Sequence, residues 1–163
     1  MTFRKLIALG CMLWLAALFP LGRAGASTDT DVLIVVAGLK FPGTNISYAA
    51  LKSAYRGQRT RIEGYTVIPV NHPLNTPARV AFDRVALGLE PAAVGPFWID
   101  MRIRDQGRPP ITATTPELAL RVVAALAGAI TYTTQSTALE NLALKVLTVN
   151  DTAPGQRGYP LTP

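Results

Sequence analysis

The chain has 163 residues and a net charge of +6, with a single histidine and a single cysteine. So few histidine and cysteine ligands argue against a metal site, and no cofactor is indicated. No lysine- or arginine-rich run interleaved with aromatic residues occurs, which argues against nucleic-acid binding. No serine elbow is present and no acid lies near the histidine in sequence, so we expect a protein that is not an enzyme.

The first 26 residues have the three parts of a secretory signal peptide. Arg4 and Lys5 form a basic region, residues 6–21 carry no charge, and residues 24–26 are small. A retained membrane anchor is the alternative, but the apolar run is shorter than the ~20 residues that a spanning helix needs. Cleavage after Ala26 leaves 137 residues with a net charge of +3 and no cysteine. We therefore expect a periplasmic or secreted protein with no stable membrane span after cleavage.

Residues 27–150 alternate between strand and helix patterns, which predicts one α/β domain with a mostly parallel sheet flanked by helices. Strands are predicted at 31–37, 65–70, 111–114, 129–133 and 144–149. Helices are predicted at 47–57, 76–89, 91–104 with an interruption at Gly95-Pro96, 115–127 and 137–140. Residues 58–64 read as a charged connector. Residues 151–163 are rich in proline and glycine and are predicted to be a disordered tail.

The second predicted helix begins directly after a strand, at Asn75-Thr76-Pro77. The first backbone N–H groups of a helix have no partner within it, so a helix start beside a strand end can seat an anion. Thr76 is predicted to cap this helix, and Pro77 occupies the first position, where a missing N–H costs nothing. The same pattern is also that of a plain helix cap, and both interpretations stay open.

Several short motifs occur in the same order as in a known family. They are Arg56-Gly57, the strand 67–70, Asn75-Thr76-Pro77 followed by Phe82, Phe97-Trp98, Gly107-Arg108-Pro109-Pro110, and Gly128-Ala129-Ile130 followed by Tyr132. This order resembles the phosphate-binding proteins of ABC transporters, in the type II periplasmic-binding-protein superfamily. It is especially similar to short members with a single lobe. The resemblance implies a lobe of that fold over nearly all of the mature chain.

The resemblance also implies an anion loop. The family's Gly-Ser-Gly-Thr loop falls on Asn75-Thr76-Pro77-Ala78, where Thr76 keeps a hydroxyl and Ala78 keeps an N–H. The family's preceding arginine is replaced by His72, and Arg79 is a substitute charge in the first helical turn. The ligand-binding candidates are therefore His72, Asn75, Thr76, Ala78 and Arg79.

Two functions follow from these observations. The first is a solute-binding-like protein that takes phosphate or another small anion at the helix start, for uptake with an ABC transporter permease. The second is an envelope interaction module that reuses the lobe, binds no ligand and has another envelope protein as its partner. Since full-length family members close two lobes around a ligand, a single lobe would need a homodimer or a partner protein to complete the cleft.

Overall fold

The computed structural model describes residues 32–134 and 143–162. The helices are α1 (Tyr48–Tyr55), α2 (Pro77–Phe82) with its π-helical continuation (Asp83–Leu87), α3 (Pro91–Ile103) and α4 (Pro116–Ala125). The strands are β1 (Leu33–Gly38), β2 (Asn45–Ile46), β3 (Arg61–Ile62), β4 (Tyr65–Thr66), β5 (Ile68–Asn71), β6 (Ile111–Thr112), β7 (Ala129–Thr134) and β8 (Leu144–Val149). No helix within these ranges is both long and apolar enough to cross a membrane.

Six of the strands form one sheet in the order β2-β8-β1-β7-β5-β6. The pairs β2–β8, β5–β7 and β5–β6 are parallel, whereas β1 runs antiparallel to both β7 and β8. Three of the five pairings are thus parallel, and the prediction of an α/β domain with a mostly parallel sheet is confirmed.

Strand β1 lies at the centre of the sheet and is covered on both faces. Leu33, Val35 and Ala37 belong to the main core, which also contains residues of α1 and α2. Ile34 and Val36 point to the other face, where they pack with Leu120 of α4. Burial on both faces explains why this strand is a continuous apolar run rather than an alternating one.

Two local predictions differ from the structure. The connector and the start of the second predicted strand form a β3–β4 hairpin, whose two loop residues Glu63 and Gly64 have φ angles of 48° and 85°. Such a pair of positive angles is the geometry of a tight hairpin turn. Helix α3 is continuous through Gly95-Pro96; a proline removes one backbone donor there, but the helix does not end.

The C-terminal segment is predicted to be disordered, whereas in the structure it packs against the sheet. Tyr159 and Leu161 are buried in the main core, and Val149 pairs with Thr152 in an isolated bridge. The apolar residues among the prolines and glycines therefore anchor this segment. The predicted signal peptide and the predicted short helix at 137–140 lie outside the described residues.

Candidate functional site

The predicted anion-binding site at Asn75, Thr76 and Ala78, called the anion seat below, lies at the carboxyl edge of the sheet. Strands β5 and β6 are parallel neighbours, so their carboxyl ends meet at one edge. Each strand leads into a helix that begins with a threonine and a proline: Thr76-Pro77 opens α2 and Thr115-Pro116 opens α4. Ligands of open α/β sheets bind outside this edge. The site predicted from the sequence therefore lies at the edge of the sheet where ligands of this fold class are expected.

The hydroxyl of Thr76 does not cap α2. Thr76 stands at the N-cap position, but it makes no side-chain cap bond, and its hydroxyl donates to the Pro73 carbonyl at 2.9 Å. Asn75 precedes it with a φ of 68° and is exposed. The prediction that the Thr76 side chain caps the helix is wrong, because its hydroxyl is turned toward the Pro73 carbonyl in the preceding turn.

Arg79 is buried in the lobe and paired there. It is 3% exposed, and its Nε lies 2.5 Å from the Asp83 carboxylate one helical turn later. Its Nη1 donates to the His72 carbonyl at 3.3 Å. Burial raises the pKa of Asp83, while the Arg79 guanidinium opposes that rise. The positive charge at the helix start is therefore neutralised within the chain.

His72 lies beneath the seat rather than in it. The ring is 1% exposed and stacks on the Tyr132 ring, with centroids 5.0 Å apart. Burial lowers the pKa of His72, and the nearby Arg79 charge adds to this effect, while the Tyr132 backbone and Glu117 oppose it. A buried, neutral imidazole at this point replaces the permanent charge that the family resemblance implies.

Of the five candidates, Asn75, Thr76 and Ala78 lie at the helix start, while His72 and Arg79 lie together below it. Ala78 is half-buried and packs against the main core, so it offers only its backbone N–H. A cavity of about 70 Å³ adjoins this point. Arg79 and Asp83 both line it. The wall of the cavity therefore carries a negative carboxylate beside the positive guanidinium.

Three residues around the anion seat were not among the predicted site residues, although Tyr132 belongs to one of the motifs that carry the resemblance. Asp83 holds Arg79, and its spacing of four residues was a readable signal for a helical ion pair. Tyr132 and Asn71 meet through a hydrogen bond of 3.1 Å between the phenol and the amide oxygen. Burial raises the pKa of Tyr132, so the phenol stays a hydrogen-bond donor.

Within the described ranges, no three His, Cys, Asp or Glu side chains are grouped closely enough to hold a metal ion.

Helix α3 is the least covered helix of the lobe. Val94 is its only buried residue, while Ile99 is 62% and Ile103 is 79% exposed. Trp98, Ile99, Arg102 and Ile103 line an open groove of about 270 Å³. We call Gly95, Trp98, Ile99, Arg102 and Ile103 the outer face of α3. Apolar side chains of this size on one exposed helix face are typical of an interaction surface.

No protein-family model and no curated protein sequence matches this chain. Solved structures do. An ABC-type phosphate transport receptor from Vibrio cholerae matches with a TM-score of 0.62 and 15% identity, over 80% of this chain and 53% of the receptor. A putative phosphate ABC transporter substrate-binding protein from Clostridium perfringens, solved with bound phosphate, gives a TM-score of 0.57 and 13% identity, over 76% of this chain and 46% of that protein.

PstS from Borrelia burgdorferi matches with a TM-score of 0.57 and 18% identity, over 76% of this chain and 49% of PstS. This chain thus spans about half the length of the solved proteins it matches. Its fold is that of one lobe of a type II periplasmic-binding protein, and the structural similarity to phosphate ABC transporter substrate-binding proteins is confirmed. At these identities the similarity establishes the fold, not the ligand.

Proposed function

We propose that this chain is an extracytoplasmic, non-enzymatic interaction module built on a single solute-binding lobe. The observation that carries the proposal is that the predicted binding side chains are bonded or buried within the chain. Thr76 donates to Pro73, Arg79 is paired with Asp83, and His72 is stacked on Tyr132. An anion would have to replace the bonds of Thr76 and Arg79, and reach a His72 ring that is 1% exposed, before it gained any side-chain contact, which lowers the net affinity. The outer face of α3 offers contacts without such a cost.

The charge balance of the seat supports the same conclusion. A guanidinium that is free to bind an anion contributes a charged hydrogen bond of roughly 1.5–3 kcal/mol. The Arg79 guanidinium instead binds a carboxylate and a carbonyl of its own chain. The backbone N–H groups of Ala78 and Arg79 are then the donors left at the helix start, because Pro77 has none and Val80 already donates to the Thr76 carbonyl. Two backbone N–H groups and the dipole of a short helix support only weak anion binding.

A second candidate function is anion binding for ABC-type uptake. It is favoured by one specific observation: α2 has no side-chain cap, so its first turn keeps unpartnered N–H groups beside a small cavity. The solved proteins of similar fold are named as phosphate receptors or substrate-binding proteins, and one contains phosphate. In this candidate, Thr76 would rotate away from Pro73 to meet the ion together with the Ala78 N–H.

Isothermal titration separates the two functions. A protein of residues 27–163 is titrated with phosphate, sulfate and acetate at millimolar concentration, beside Ala78→Pro, which removes one of the two N–H groups, at the second helical position. Ala49→Pro is the matched control, because Ala49 is the second residue of α1. The interaction module predicts no saturable heat with any of the three anions. Saturable heat that Ala78→Pro abolishes and Ala49→Pro keeps would establish the anion-binding function instead.

The partner contact is tested at α3 in cells. A photo-crosslinking amino acid at position 99, on the outer face of α3, is expected to give discrete adducts. The same group at position 118 of α4, where Leu118 is also exposed, is expected to give none above background. Equal labelling from both positions, or none from either, would contradict the proposed function.

A further inference from the structure

We infer that a second site, separate from the anion seat, lies between the end of α1 and the end of α3, and that it binds small carboxylates with an apolar body. An open cavity of about 480 Å³ lies there, and it is lined by Arg56, Gln58, Phe97, Met101 and Gln106. Its size is within the usual range of ligand cavities in proteins. The inference is carried by a guanidinium that has no counter-ion at the wall of this cavity, and by the side chains beside it.

The backbone around the cavity is fixed by two glycines. Gly57 follows α1 with a φ of 82°, and its carbonyl accepts from the Arg108 N–H at 3.4 Å. A Cβ on Gly57 would lie 2.6 Å from the Arg108 carbonyl oxygen, and one on Gly107 would lie 2.9 Å from the Gly57 carbonyl oxygen. The two segments therefore touch through their backbones, and glycine permits this approach. Because the cavity is formed in advance, a ligand pays little to order it.

Arg56 is held at the wall of the cavity by a helix end and an aromatic ring. Its Nη2 donates to the Leu87 carbonyl at 3.0 Å, and its guanidinium carbon lies 5.7 Å from the Phe97 ring centroid. Its Nε is buried without a hydrogen-bond partner. A guanidinium can donate several hydrogen bonds, so most of the capacity of Arg56 is unused within the described part of the chain.

Arg56 also has no carboxylate partner among the described residues. The ion pairs in these ranges join other side chains, Arg79–Asp83, Arg84–Glu90 and Arg104–Asp100. Asp105 precedes Gln106, but it lines the neighbouring cavity with Arg59 and Arg108. Since water and salt screen a half-buried charge less than an exposed one, Arg56 attracts an anion more strongly than a surface arginine does. The charge of the cavity therefore selects an anionic group.

The other side chains favour a carboxylate with an apolar body over an inorganic anion. Phe97 and Met101 lie one turn apart on α3, and both are partly exposed, so they form an apolar wall. Gln58 and Gln106 are exposed, and their amides can donate to the carboxylate. A phenyl ring gains contact with the Phe97 ring and the Met101 sulfur. Phosphate, sulfate and acetate leave this wall uncovered.

The first experiment titrates a protein of residues 27–163 with phenylacetate and follows the amide chemical shifts. Saturable shifts are expected, with a dissociation constant on the order of 1 mM. They are expected around Gln58, Met101 and Gln106 rather than around Ala78. Acetate lacks the ring and benzyl alcohol lacks the charge, so each is expected to bind at least about tenfold more weakly.

Three results of this titration would overturn the inference. Shifts that stay linear in phenylacetate over the whole millimolar range would show that no such site exists. Shifts centred on Ala78 would place the carboxylate at the anion seat. Benzyl alcohol that binds as tightly as phenylacetate would show that the guanidinium is not involved.

Two variants test the charge by different routes. Arg56→Gln removes the guanidinium, whereas Gln106→Glu places a carboxylate at the cavity and leaves the bond between Arg56 and Leu87 in place. Each is expected to weaken phenylacetate binding at least about tenfold. Gln106 is exposed, so its variant is expected to fold even if Arg56→Gln does not. Arg102→Gln is the matched control and is expected to keep the wild-type affinity, because it removes one positive charge outside this cavity. Unchanged binding in Gln106→Glu, or an equal loss in Arg102→Gln, would overturn the inference.

This inference and the proposed function fail separately. Photo-crosslinking at position 99 reports on the outer face of α3, whereas phenylacetate reports on the cavity beside Arg56. A phenylacetate site without adducts at position 99 would keep the inference and contradict the interaction module. Discrete adducts at position 99 without phenylacetate binding would keep the interaction module and overturn the inference.

Discussion

Helices α2 and α4 begin with the same two residues at the same edge of the sheet, and yet their first turns differ. In α4 the Thr115 hydroxyl accepts a hydrogen bond from the Leu118 N–H at 3.1 Å. In α2 the Thr76 hydroxyl donates to the preceding turn instead. Three residues after each threonine, the burial is the reverse of what the side chains suggest. The charged Arg79 is 3% exposed, whereas the apolar Leu118 is 40% exposed.

This reversal shows that the two helix starts have different structural roles. The start of α4 is an ordinary capped terminus with its apolar side chain partly in solvent. The start of α2 carries an ion pair into the core and leaves its N–H groups uncapped. A charge is tolerated inside only when it is paired, so the sequence of α2 is constrained by Arg79 and Asp83 together. Substitutions at the two helix starts are expected to change the free energy of unfolding by different amounts.

The largest effect is expected from Arg79→Met. The change leaves the Asp83 carboxylate buried without its counter-ion, and breaking a buried pair costs about 3–5 kcal/mol of the free energy of unfolding. Arg79→Met with Asp83→Leu removes both charges and is expected to recover most of the loss. Urea unfolding followed by circular dichroism measures both variants.

The matched control for this prediction is Arg84→Met. Arg84 makes a two-bond ion pair with Glu90 at 2.7 and 2.8 Å, but both side chains are exposed. Surface pairs contribute little because water screens them. We expect a small change for Arg84→Met, and a double variant of Arg79 and Asp83 no more stable than the single one would contradict the buried-pair account.

A smaller effect, dependent on pH, is expected from His72. Its pKa is lowered by burial, so the unfolded chain binds a proton near its usual pKa while the folded chain does not. The free energy of unfolding therefore falls as the pH drops below about 6.5, and it levels off below the folded pKa. One such group changes stability by at most ~1.4 kcal/mol per pH unit. Unfolding curves at pH 7.5, 6.5 and 5.5 measure the slope.

His72→Phe keeps a ring against Tyr132 and cannot titrate. Because the chain has one histidine, this variant is expected to lose the His72-dependent part of the slope between pH 7.5 and 5.5. Ala113 follows strand β6 as His72 follows strand β5, and it is buried and carries no charge. The start of α4 therefore has no residue that titrates at this position. The same acid-induced loss in wild type and variant would show that His72 is not its source.

The fold was readable from the sequence because its signals are local. The apolar run of β1, the serine cap of α1 and the threonine-proline starts each specify one element. Ser47 accepts from the Ala50 N–H at 3.1 Å, as the cap pattern predicts. The missed β3–β4 hairpin also had a local signal in Glu63-Gly64. The packing of Tyr159 and Leu161 had none, since it depends on partners far away along the chain.

The location of the candidate seat was predictable, but the roles of its side chains were not. Asn75, Thr76 and Ala78 lie at a helix start, as the pattern indicates. His72 is buried because Tyr132, 60 residues later, stacks on it, and no spacing in the sequence encodes that contact. The Arg79–Asp83 pair had the right spacing for a helical ion pair, but its burial is set by the core around Phe82.

The smallest expected effect compares the two threonines directly. Thr115→Val removes a side-chain cap and is expected to cost about 1 kcal/mol of the free energy of unfolding. Thr76→Val removes only the bond to Pro73, whose carbonyl still accepts from the Thr76 N–H at 3.4 Å, so we expect about 0.5 kcal/mol. Urea unfolding of both variants at pH 7.5 resolves this difference. Equal losses would mean that Thr76 caps α2 in solution, and its hydroxyl would then be free to turn toward an anion at the helix start.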